Sequence, residues 1–312
     1  MPLTKSDIPN LLEAGLKGIF FEAYNSALAT QWQMVASRVP STKDTEAYAW
    51  LGALPKMREF IDERQLKALV ESNYTLKNKT YEATVGVDRA AIEDDQYGQI
   101  KLRVQQMGFE AARFIEELVF TALQGGAAAL CYDGQYFFDT DHVTGDSGTQ
   151  SNMGTTALSA ATLTTGITAM AKFKDDKGKP MGIRANVLVV PPDLWTTALE
   201  LTGSSVIPVK VGDGTAGSGA TAATGYQNVI STMGITPIMS PYLTDTNNWY
   251  LLDTTKPIKP LIYQERVAVE FAALEANSEN GFMRDQYAYG IRQRGAAGYG
   301  MWQYAYGGIV SG

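Results

Sequence analysis

One long amphipathic stretch limits the fold of this chain more than any other feature. Between Asp94 and Gly126, apolar side chains recur every three or four positions with polar ones between them, the pattern of a helix with one buried face. The apolar stripe comprises Ile100, Val104, Met107, Ala111, Ile115, Leu118 and Ala122. Such a helix is about 40 Å long, longer than a compact globule needs. The sequence therefore predicts an elongated body on which a sheet lies.

Strand-like alternation precedes this helix. Residues 74–87 alternate large and polar side chains, which predicts a half-exposed strand, and the segment around Tyr48 is its candidate partner in a long hairpin. The far end of that hairpin carries Pro55, Met57 and Phe60, too much apolar surface to leave in water. Two interpretations stay open: a small subdomain packed on its own body, or a projecting arm that buries these residues on a neighbouring subunit.

Patterns after the helix predict an α/β domain and a returning ribbon. Val187–Val190 is typical of a buried strand, and it breaks at two prolines into a helix carrying Trp195 and Leu199, both expected to pack inside this domain. Strand-like runs flank Asn280-Gly281, a hairpin-turn pair, and predict an antiparallel ribbon against the long helix. The aromatic, glycine-rich tail at 298–308 is expected to be an edge strand or a contact surface. A length of 312 residues also favours two domains, or one domain with long excursions.

The first forty residues predict an N-terminal arm. Asp7 is a candidate cap for a helix over residues 8–19, and the residues from there to Pro40 are expected to be partly extended.

Composition limits where the protein works and what it binds. The start of the sequence lacks the basic and apolar regions of a signal peptide. A single cysteine cannot form an internal disulfide, which fits a reducing cytoplasm. The formal charge of -7 disfavours general nucleic-acid binding. No uncharged stretch is apolar enough to predict a membrane span.

The segment CYDGQYFFDTDH, residues 131–142, gathers the only cysteine and the only histidine of the chain with three aspartates. Asp139, Asp141 and His142 are candidate metal ligands. A zinc site, however, usually takes four ligands in which Cys and His predominate, and adjacent positions on a strand point to opposite faces. A nucleophilic pair of Cys131 and His142 would need a third, orienting group.

The favoured interpretation of this segment is structural. Asp133-Gly134 predicts a tight turn, and the aromatic side chains of residues 136–138 are expected to pack. Asp139 and Asp141 are expected to accept hydrogen bonds from loop backbone.

Two other patterns that resemble functional sites are also interpreted as structural. GDGTAG, residues 212–217, matches a phosphate-binding fingerprint but is not followed by an apolar helix, so it predicts a loop. The pair Glu116-Glu117 is expected on a solvated helix face.

The order of these elements resembles that of tailed-phage major capsid proteins with the Hong Kong 97-type fold. Four segments are similar to the Mu-like phage major head subunit family: YAWLGALPKMREF, ERQLKAL, YTLKNKTYEATVGVDRAAIEDDQYG and YDGQYFFDTDH. The segments are long and unusual, and the match spans most of the chain, although Asp62 stands where a glycine is common in the family. The resemblance implies an α+β capsid fold, no enzymatic activity and no cofactor.

The resemblance also implies a division of the chain. Residues 1–44 would form an N-terminal arm and residues 45–87 an extended loop. Residues 88–156 and 257–312 would form a peripheral domain with a spine helix at about 96–124 and an antiparallel ribbon. Residues 157–256 would form an α/β axial domain, whose loops, including 212–225, would meet around fivefold and sixfold centres.

The implied function is that of the major capsid protein of a Mu-like tailed bacteriophage or prophage. The chain would assemble through pentamers and hexamers into an icosahedral shell around packaged double-stranded DNA, without sequence-specific binding and without a membrane. Assembly would take place in the host bacterial cytoplasm and the product would be the virion. Its expected partners are further copies of itself, a separate scaffolding protein, a portal protein and a decoration protein. The candidate subunit-interface residues are Trp50, Pro55, Met57, Arg58, Phe60 and Arg64, with Arg58 and Arg64 setting the register.

Two alternatives belong to other classes of protein. An encapsulin-like compartment would share the fold and would enclose a cargo enzyme in place of DNA. A metal-dependent enzyme would use the cluster of Asp139, Asp141 and His142, and its activity would be lost in His142→Ala. The size of the assembly separates the first two functions from the third, and the contents of the particle separate the first from the second.

Overall fold

The computed structural model describes residues 8–27, 31–48, 51, 74–88, 90, 97–203, 206–207, 226–274 and 286–310. The α-helices in these ranges are α1 (Ile8–Ser26), α2 (Gln31–Val35), α3 (Tyr97–Gln124), α4 (Ala160–Lys172) and α5 (Trp195–Gly203). The strands are β1 (Ala36–Pro40), β2 (Thr45–Ala47), β3 (Thr75–Lys77), β4 (Lys79–Asp88), β5 (Met153–Gly154), β6 (Val187–Val190), β7 (Val206–Ile207), β8 (Tyr226–Gln227), β9 (Thr236–Met239), β10 (Trp249–Leu252), β11 (Leu261–Leu274), β12 (Gln286–Tyr299) and β13 (Ala305–Gly308). Within the described helices, none is both long and apolar enough to cross a membrane.

Helix α3 confirms the predicted spine helix, within one residue of the expected start. The stripe is buried at Ile100, Val104, Met107, Ala111 and Ile115. Near the end of the helix the prediction is wrong by one position, because Leu118 and Ala122 are half-buried. Val119, Phe120 and Leu123 are buried in their place. The reason is that this half of α3 enters a larger core and is covered over a wider face.

A four-stranded sheet with the order β1-β11-β12-β4 lies against α3. Strands β11 and β12 pair antiparallel from Leu261↔Tyr299 to Leu274↔Ala288, so the predicted returning ribbon is confirmed, while its Asn280-Gly281 turn lies outside the described residues. The predicted strand at 74–87 is present as β3 and β4. Only β3 joins the segment near Tyr48, through β2. Strand β4 pairs with β12 along its length, because β12 is long enough to pair with all ten residues of β4.

The N-terminal helix α1 packs on the first half of α3. It runs to Ser26, so the expectation of partly extended chain is wrong for residues 20–26. The expectation is also wrong for α2 and is confirmed for β1. Alpha-helical spacing continues through Phe20 and Ala23, which are buried against α3. We call the apolar cluster at this contact the arm core; it consists of Leu16, Phe20, Val87, Ile100, Val104, Met107, Ala111, Phe271 and Tyr289.

A second sheet has five strands in the order β5-β13-β10-β6-β9. Strands β6 and β9 are parallel and α5 connects them, which confirms the predicted α/β unit. Strand β13, from the aromatic tail, lies inside the sheet between β5 and β10, so the expectation of an edge strand is wrong. Its residues are buried, and Gly308 leaves room for the Trp249 indole, 2.1 Å from where a Cβ would lie.

A single large cluster, here called the main core, joins this sheet to the end of α3 and to the base of the ribbon. Its largest fully buried side chains include Trp249, Trp302, Tyr250, Tyr263, Phe120, Phe137 and Phe138. Ser159 precedes helix α4, and its side chain caps the helix together with Thr162. Trp195 is half-buried against the core, whereas Leu199 is 43% exposed, so its predicted packing inside this unit is wrong.

Candidate functional site

The segment 131–142 lies between the end of α3 and strand β5, where it closes one side of the main core. The predicted turn at Asp133-Gly134 is confirmed: Gly134 has φ of 86°, a conformation that favours glycine, and its N–H donates to the Cys131 carbonyl at 3.2 Å. The predicted packing holds for Phe137 and Phe138, which are buried, and is wrong for Tyr136, which is 45% exposed.

The structure brings together a different trio from the predicted metal ligands. Cys131 donates from Sγ to Asp133 Oδ1 at 3.0 Å, and His142 Nδ1 lies 2.7 Å from Asp133 Oδ2. Within the described ranges this is the one group of three such donor residues, with its ligand atoms within 4.8 Å of one another. We call Cys131, Asp133 and His142 the buried cluster.

The aspartates of the predicted trio lie elsewhere. Asp139 accepts hydrogen bonds from the backbone N–H groups of Thr140 at 2.7 Å and Tyr136 at 3.3 Å, as the structural interpretation expects. Asp141 is exposed. Neither Asp139 nor Asp141 belongs to the group of donor atoms around His142 in the described chain.

The hydrogen-bond partners of His142 are oxygen atoms on both edges of its ring. Its Nε2 lies 3.2 Å from Asn152 Oδ1. The Asn152 amide is oriented by its own nitrogen, which donates to the Phe137 carbonyl at 2.8 Å and the Trp302 carbonyl at 3.3 Å. Both ring nitrogens of His142 therefore face oxygen acceptors, and a ring that carries a hydrogen on each nitrogen satisfies both contacts.

A buried ion pair follows from this arrangement. The side chain of His142 is 0% exposed and that of Asp133 is 5% exposed. The imidazolium also stacks on the Trp302 indole, with ring centroids 4.0 Å apart and planes 8° from parallel, a geometry in which the indole face attracts a cation. The charge is thus satisfied on both edges and on one face of the ring.

The electrostatics of the buried cluster oppose nucleophilic chemistry. Burial alone would raise the pKa of Asp133, but hydrogen bonds from His142 and Cys131 outweigh it and lower that pKa. Burial and the neighbouring Asp133 charge together raise the pKa of the Cys131 thiol well above its ordinary value. The thiol therefore stays protonated, and a thiolate is the form that attacks substrates and binds metals.

The donor set fits a metal poorly for the same reason. Each ligand atom of the buried cluster already bonds to another protein group, and a structural zinc site needs four such donors with the thiols deprotonated. The orienting group that a Cys-His pair needs is present as Asp133, but it stands between Cys131 and His142 and accepts from both. The arrangement is suited to holding a turn against the main core.

Glu116 departs from the sequence expectation. Glu117 is exposed as predicted, but Glu116 is only 7% exposed, so the interpretation as a solvated face is wrong for it. Burial raises the pKa of Glu116, and the nearby Arg113 acts in the opposite direction. The cause is the wide buried face of the second half of α3.

The candidate interface residues Trp50, Pro55, Met57, Arg58, Phe60 and Arg64 lie outside the described residues, as does the predicted axial loop 212–225. The described base of the 45–87 segment is firmly anchored. Tyr48 is only 3% exposed, and its hydroxyl donates to Gln264 Oε1 at 2.7 Å. Asn78 donates to Ser41 Oγ at 2.9 Å and to the Lys43 carbonyl at 2.8 Å.

Asn152 and Trp302 are the residues that sequence reasoning missed. Asn152 bonds to the His142 ring, and Trp302, 160 positions further along the chain than His142, stacks on it. Neither position has a local pattern that points to the cluster. The concentration of unusual residue types at 131–142 marked the place, but not the partners.

Comparison with known proteins gives concordant matches. The family model of the Mu-like prophage major head subunit gpT matches residues 10–157, 153–217 and 229–309. The Mu-like prophage FluMu major head subunit of Haemophilus influenzae is 32% identical over 302 residues, which is 96% of this chain and 73% of that protein. The major capsid protein of Escherichia phage Mu is 28% identical over 277 residues, which is 88% of this chain and 65% of that protein.

A solved structure agrees with these matches. The procapsid of bacteriophage JBD30 contains a chain that is 31% identical, with a TM-score of 0.56 over 99% of this chain and 77% of that one. The chain is therefore shorter than each of these relatives, and the match extends over both sheets and the long helix between them.

Proposed function

Because this chain belongs to the Mu-like prophage major head subunit gpT family, we propose that it builds the icosahedral head of a Mu-like tailed bacteriophage or prophage, through pentamers and hexamers. Its α+β fold is of the Hong Kong 97 type, as the sequence predicts. The match of the family model to nearly the whole chain carries the proposal. As a head subunit, the protein is a component of the virion.

The physical requirements of a shell agree with the described features. A subunit that closes rings of five and six needs two different faces that fit each other, since a self-complementary face gives only dimers. A formal charge of -7 also suits a container for DNA, because a strongly basic wall would bind the DNA and oppose its release. The buried cluster supports this role as a structural element, because Asp133 joins Cys131 and His142 across the turn.

The extended loop is the proposed interface. Residues 45–87 would overlap a neighbouring subunit and bury the apolar side chains of Trp50, Met57 and Phe60. Each Å² of apolar surface removed from water would stabilise the contact by about 25 cal/mol. Arg58 and Arg64 would set the register of the contact through charge complementarity. The anchoring of Tyr48 on strand β11 and of Asn78 on the residues that follow β1 supports this proposal, because a projecting segment needs a fixed base.

The division into arm, extended loop, peripheral domain and axial domain is part of the same proposal. We also propose that its partners are a separate scaffolding protein, a portal protein and a decoration protein, and that the shell encloses packaged double-stranded DNA. An encapsulin-like compartment is not favoured, because the matching family consists of phage head subunits. The metal-dependent enzyme is not favoured either, because Asp139, Asp141 and His142 do not converge.

Negative-stain microscopy of the purified protein, with light scattering at low and moderate salt, tests the function. We expect hollow particles, tubes or rings of five and six subunits. Nuclease-resistant DNA inside particles isolated from phage-producing cells would distinguish a head from an enzyme compartment. A monodisperse monomer or dimer, both alone and after co-expression with a Mu-like scaffolding protein, would contradict the proposal.

A further inference from the structure

The second sheet has two unlike flanks. Strand β9 is one edge, and α5 lies beside it together with the short 3-10 helix Ile230–Met233. Strand β5 is the other edge, and the loop 142–150 leads into it. The hairpin 174–180 is hydrogen-bonded to that loop. The Lys174 N–H donates to Gln150 Oε1 at 2.7 Å, and the Asp146 N–H donates to the Asp176 carbonyl at 2.9 Å.

The flank at β9 is apolar and acidic. Leu199 is 43% exposed, Val229 62% and Met233 40%. Asn228 donates to the Leu201 carbonyl at 2.7 Å, which holds the 3-10 helix against the end of α5 and makes these side chains neighbours. We define the acidic flank by its five exposed side chains: Asp193, Leu199, Glu200, Val229 and Met233.

The two chain segments that form this flank carry acidic side chains and no basic ones. Residues 187–203 and 226–252 contain Asp193, Glu200 and Asp245, and neither lysine nor arginine. The apolar side chains are too exposed to contribute to the main core. Exposed apolar side chains that lie together within a polar rim are typical of a protein-protein contact.

The flank at β5 carries the opposite charge. Its lysines, Lys172, Lys174, Lys177 and Lys179, are all exposed, and Val143 beside them is 53% exposed. Four aspartates lie nearby: Asp141 and Asp146 are exposed, Asp176 is half-buried, and Asp175 is buried with Oδ1 accepting from the Lys177 and Lys179 N–H groups. The exposed lysines therefore outnumber the exposed aspartates. We define the basic flank by its exposed side chains Val143, Lys172, Lys174, Lys177 and Lys179.

We propose that the acidic flank of one copy docks on the basic flank of the next copy, head to tail within a ring. The inference rests on the proposed shell function and names the faces that close the ring. A dimer through either flank alone would place like charges together, which is unfavourable, whereas alternation of the two flanks continues from copy to copy. Lysine side chains are long and flexible, so one pair of faces can serve both five and six copies.

Charge reversal and charge exchange test the docking. Glu200→Lys and Lys177→Glu are each expected to lower the fraction of assembled protein at least about tenfold at low salt, because each places like charges across the contact. The double variant Glu200→Lys/Lys177→Glu restores opposite charges, and we expect assembly within about twofold of the unmodified protein. Sedimentation velocity measures the fraction and negative-stain microscopy identifies the particles.

A matched control separates pairing from net charge. Glu200→Lys/Lys101→Glu has the same net charge as the charge exchange, but Lys101 is exposed on α3, away from the basic flank, so it should not restore assembly. All four variants change exposed side chains, and equal thermal unfolding midpoints would show that each still folds. Single reversals that assemble normally, or a control that restores assembly as well as the charge exchange, would overturn the docking. In both cases the shell function would stand, whereas failure of the unmodified protein to form rings or shells would remove both.

Discussion

The main core and the arm core differ in how their contacts are specified. The main core combines large aromatic side chains with directional bonds between buried polar groups, such as Tyr132 Oη to Gln303 Oε1 at 2.9 Å and Asn152 to the Phe137 carbonyl at 2.8 Å. The arm core consists of apolar and aromatic side chains where α1 crosses the first half of α3. One region is fixed by geometry, and the other by burial alone.

This difference indicates which part of the subunit opens at lower cost. Hydrogen bonds inside a low-dielectric core allow few arrangements, because a broken one leaves a polar group unpaired. Apolar helix contacts lack that penalty, and a terminal element can open locally without unfolding the rest. We therefore expect α1 to undock from α3 more easily than any element of the main core.

Two matched substitutions test the comparison most strongly. Phe120 in the main core and Phe20 in the arm core are both 0% exposed. Phe120→Ala should lower the free energy of global unfolding by about 3 to 5 kcal/mol, from lost burial and the cavity that remains. Phe20→Ala should lower it by much less, because α1 can leave α3 while the main core persists.

Hydrogen exchange measured by mass spectrometry locates the two effects. For Phe20→Ala, faster exchange should be confined to α1 and the facing part of α3. For Phe120→Ala, protection should fall across both sheets. Equal losses of global stability in denaturant titrations of the two variants would contradict the comparison, because they would show one cooperative unit.

Substitution of His142 tests the buried ion pair. His142→Ala removes the cation and leaves the Asp133 carboxylate buried without its main partner, which should cost about 3 to 5 kcal/mol of unfolding free energy. A chelator added to the unmodified protein should leave its thermal midpoint unchanged. A midpoint that falls with chelator would instead indicate a bound metal and would contradict the ion-pair interpretation.

The pH dependence of stability sharpens the same point. The pKa of Asp133 is lowered in the folded protein, so its stabilising contribution is present above about pH 4, the ordinary range of an aspartate. It is lost as the pH falls through the lowered value, when the folded carboxylate takes up a proton. Relative to Asp133→Asn, the unmodified protein should be more stable by about 1.5 to 3 kcal/mol at pH 7, and the difference should shrink below about pH 4. A difference that stays constant from about pH 7 to about pH 3 would exclude the charged pair.

Gly108 gives the smallest expected effect, at the arm core. A Cβ there would lie 2.8 Å from the Phe20 carbonyl oxygen and 2.9 Å from Ala23 Cβ, so Gly108→Ala should push α1 away at a cost of about 1 to 3 kcal/mol. A Cβ at Gly98, in the same helix, would have no neighbouring atom within 4 Å, and Gly98→Ala should leave the docking of α1 unchanged. Exchange rates of α1 amides distinguish the two variants; equal rates would contradict the close contact.

Local patterns predicted the elements that depend on local chemistry. The stripe and its flanking residues placed α3 almost to the residue, and Asp133-Gly134 was sufficient to predict its turn. The apolar run Val187–Val190 likewise placed β6. The physical causes are helical periodicity, a left-handed glycine and continuous burial. Each of them acts within a few residues of sequence.

Long-range partners were beyond the reach of such patterns. Strand β4 alternates in the way of a hairpin strand, but the longer edge of β12 is its main partner. Glu116 is of a charged residue type that is usually exposed, and only the packing of the main core buries it. The partners of His142 come from Asn152 and from Trp302 in the tail, and their contacts depend on the order of strands in the second sheet.

A cryo-electron microscopy reconstruction of the assembled protein is the most direct test of the proposed shell. We expect subunits in rings of five and six, with residues 45–87 lying over a neighbouring subunit and the two flanks of the second sheet in contact between adjacent copies. A reconstruction in which residues 45–87 fold back on their own subunit, or in which copies meet as closed dimers through a self-complementary face, would contradict it.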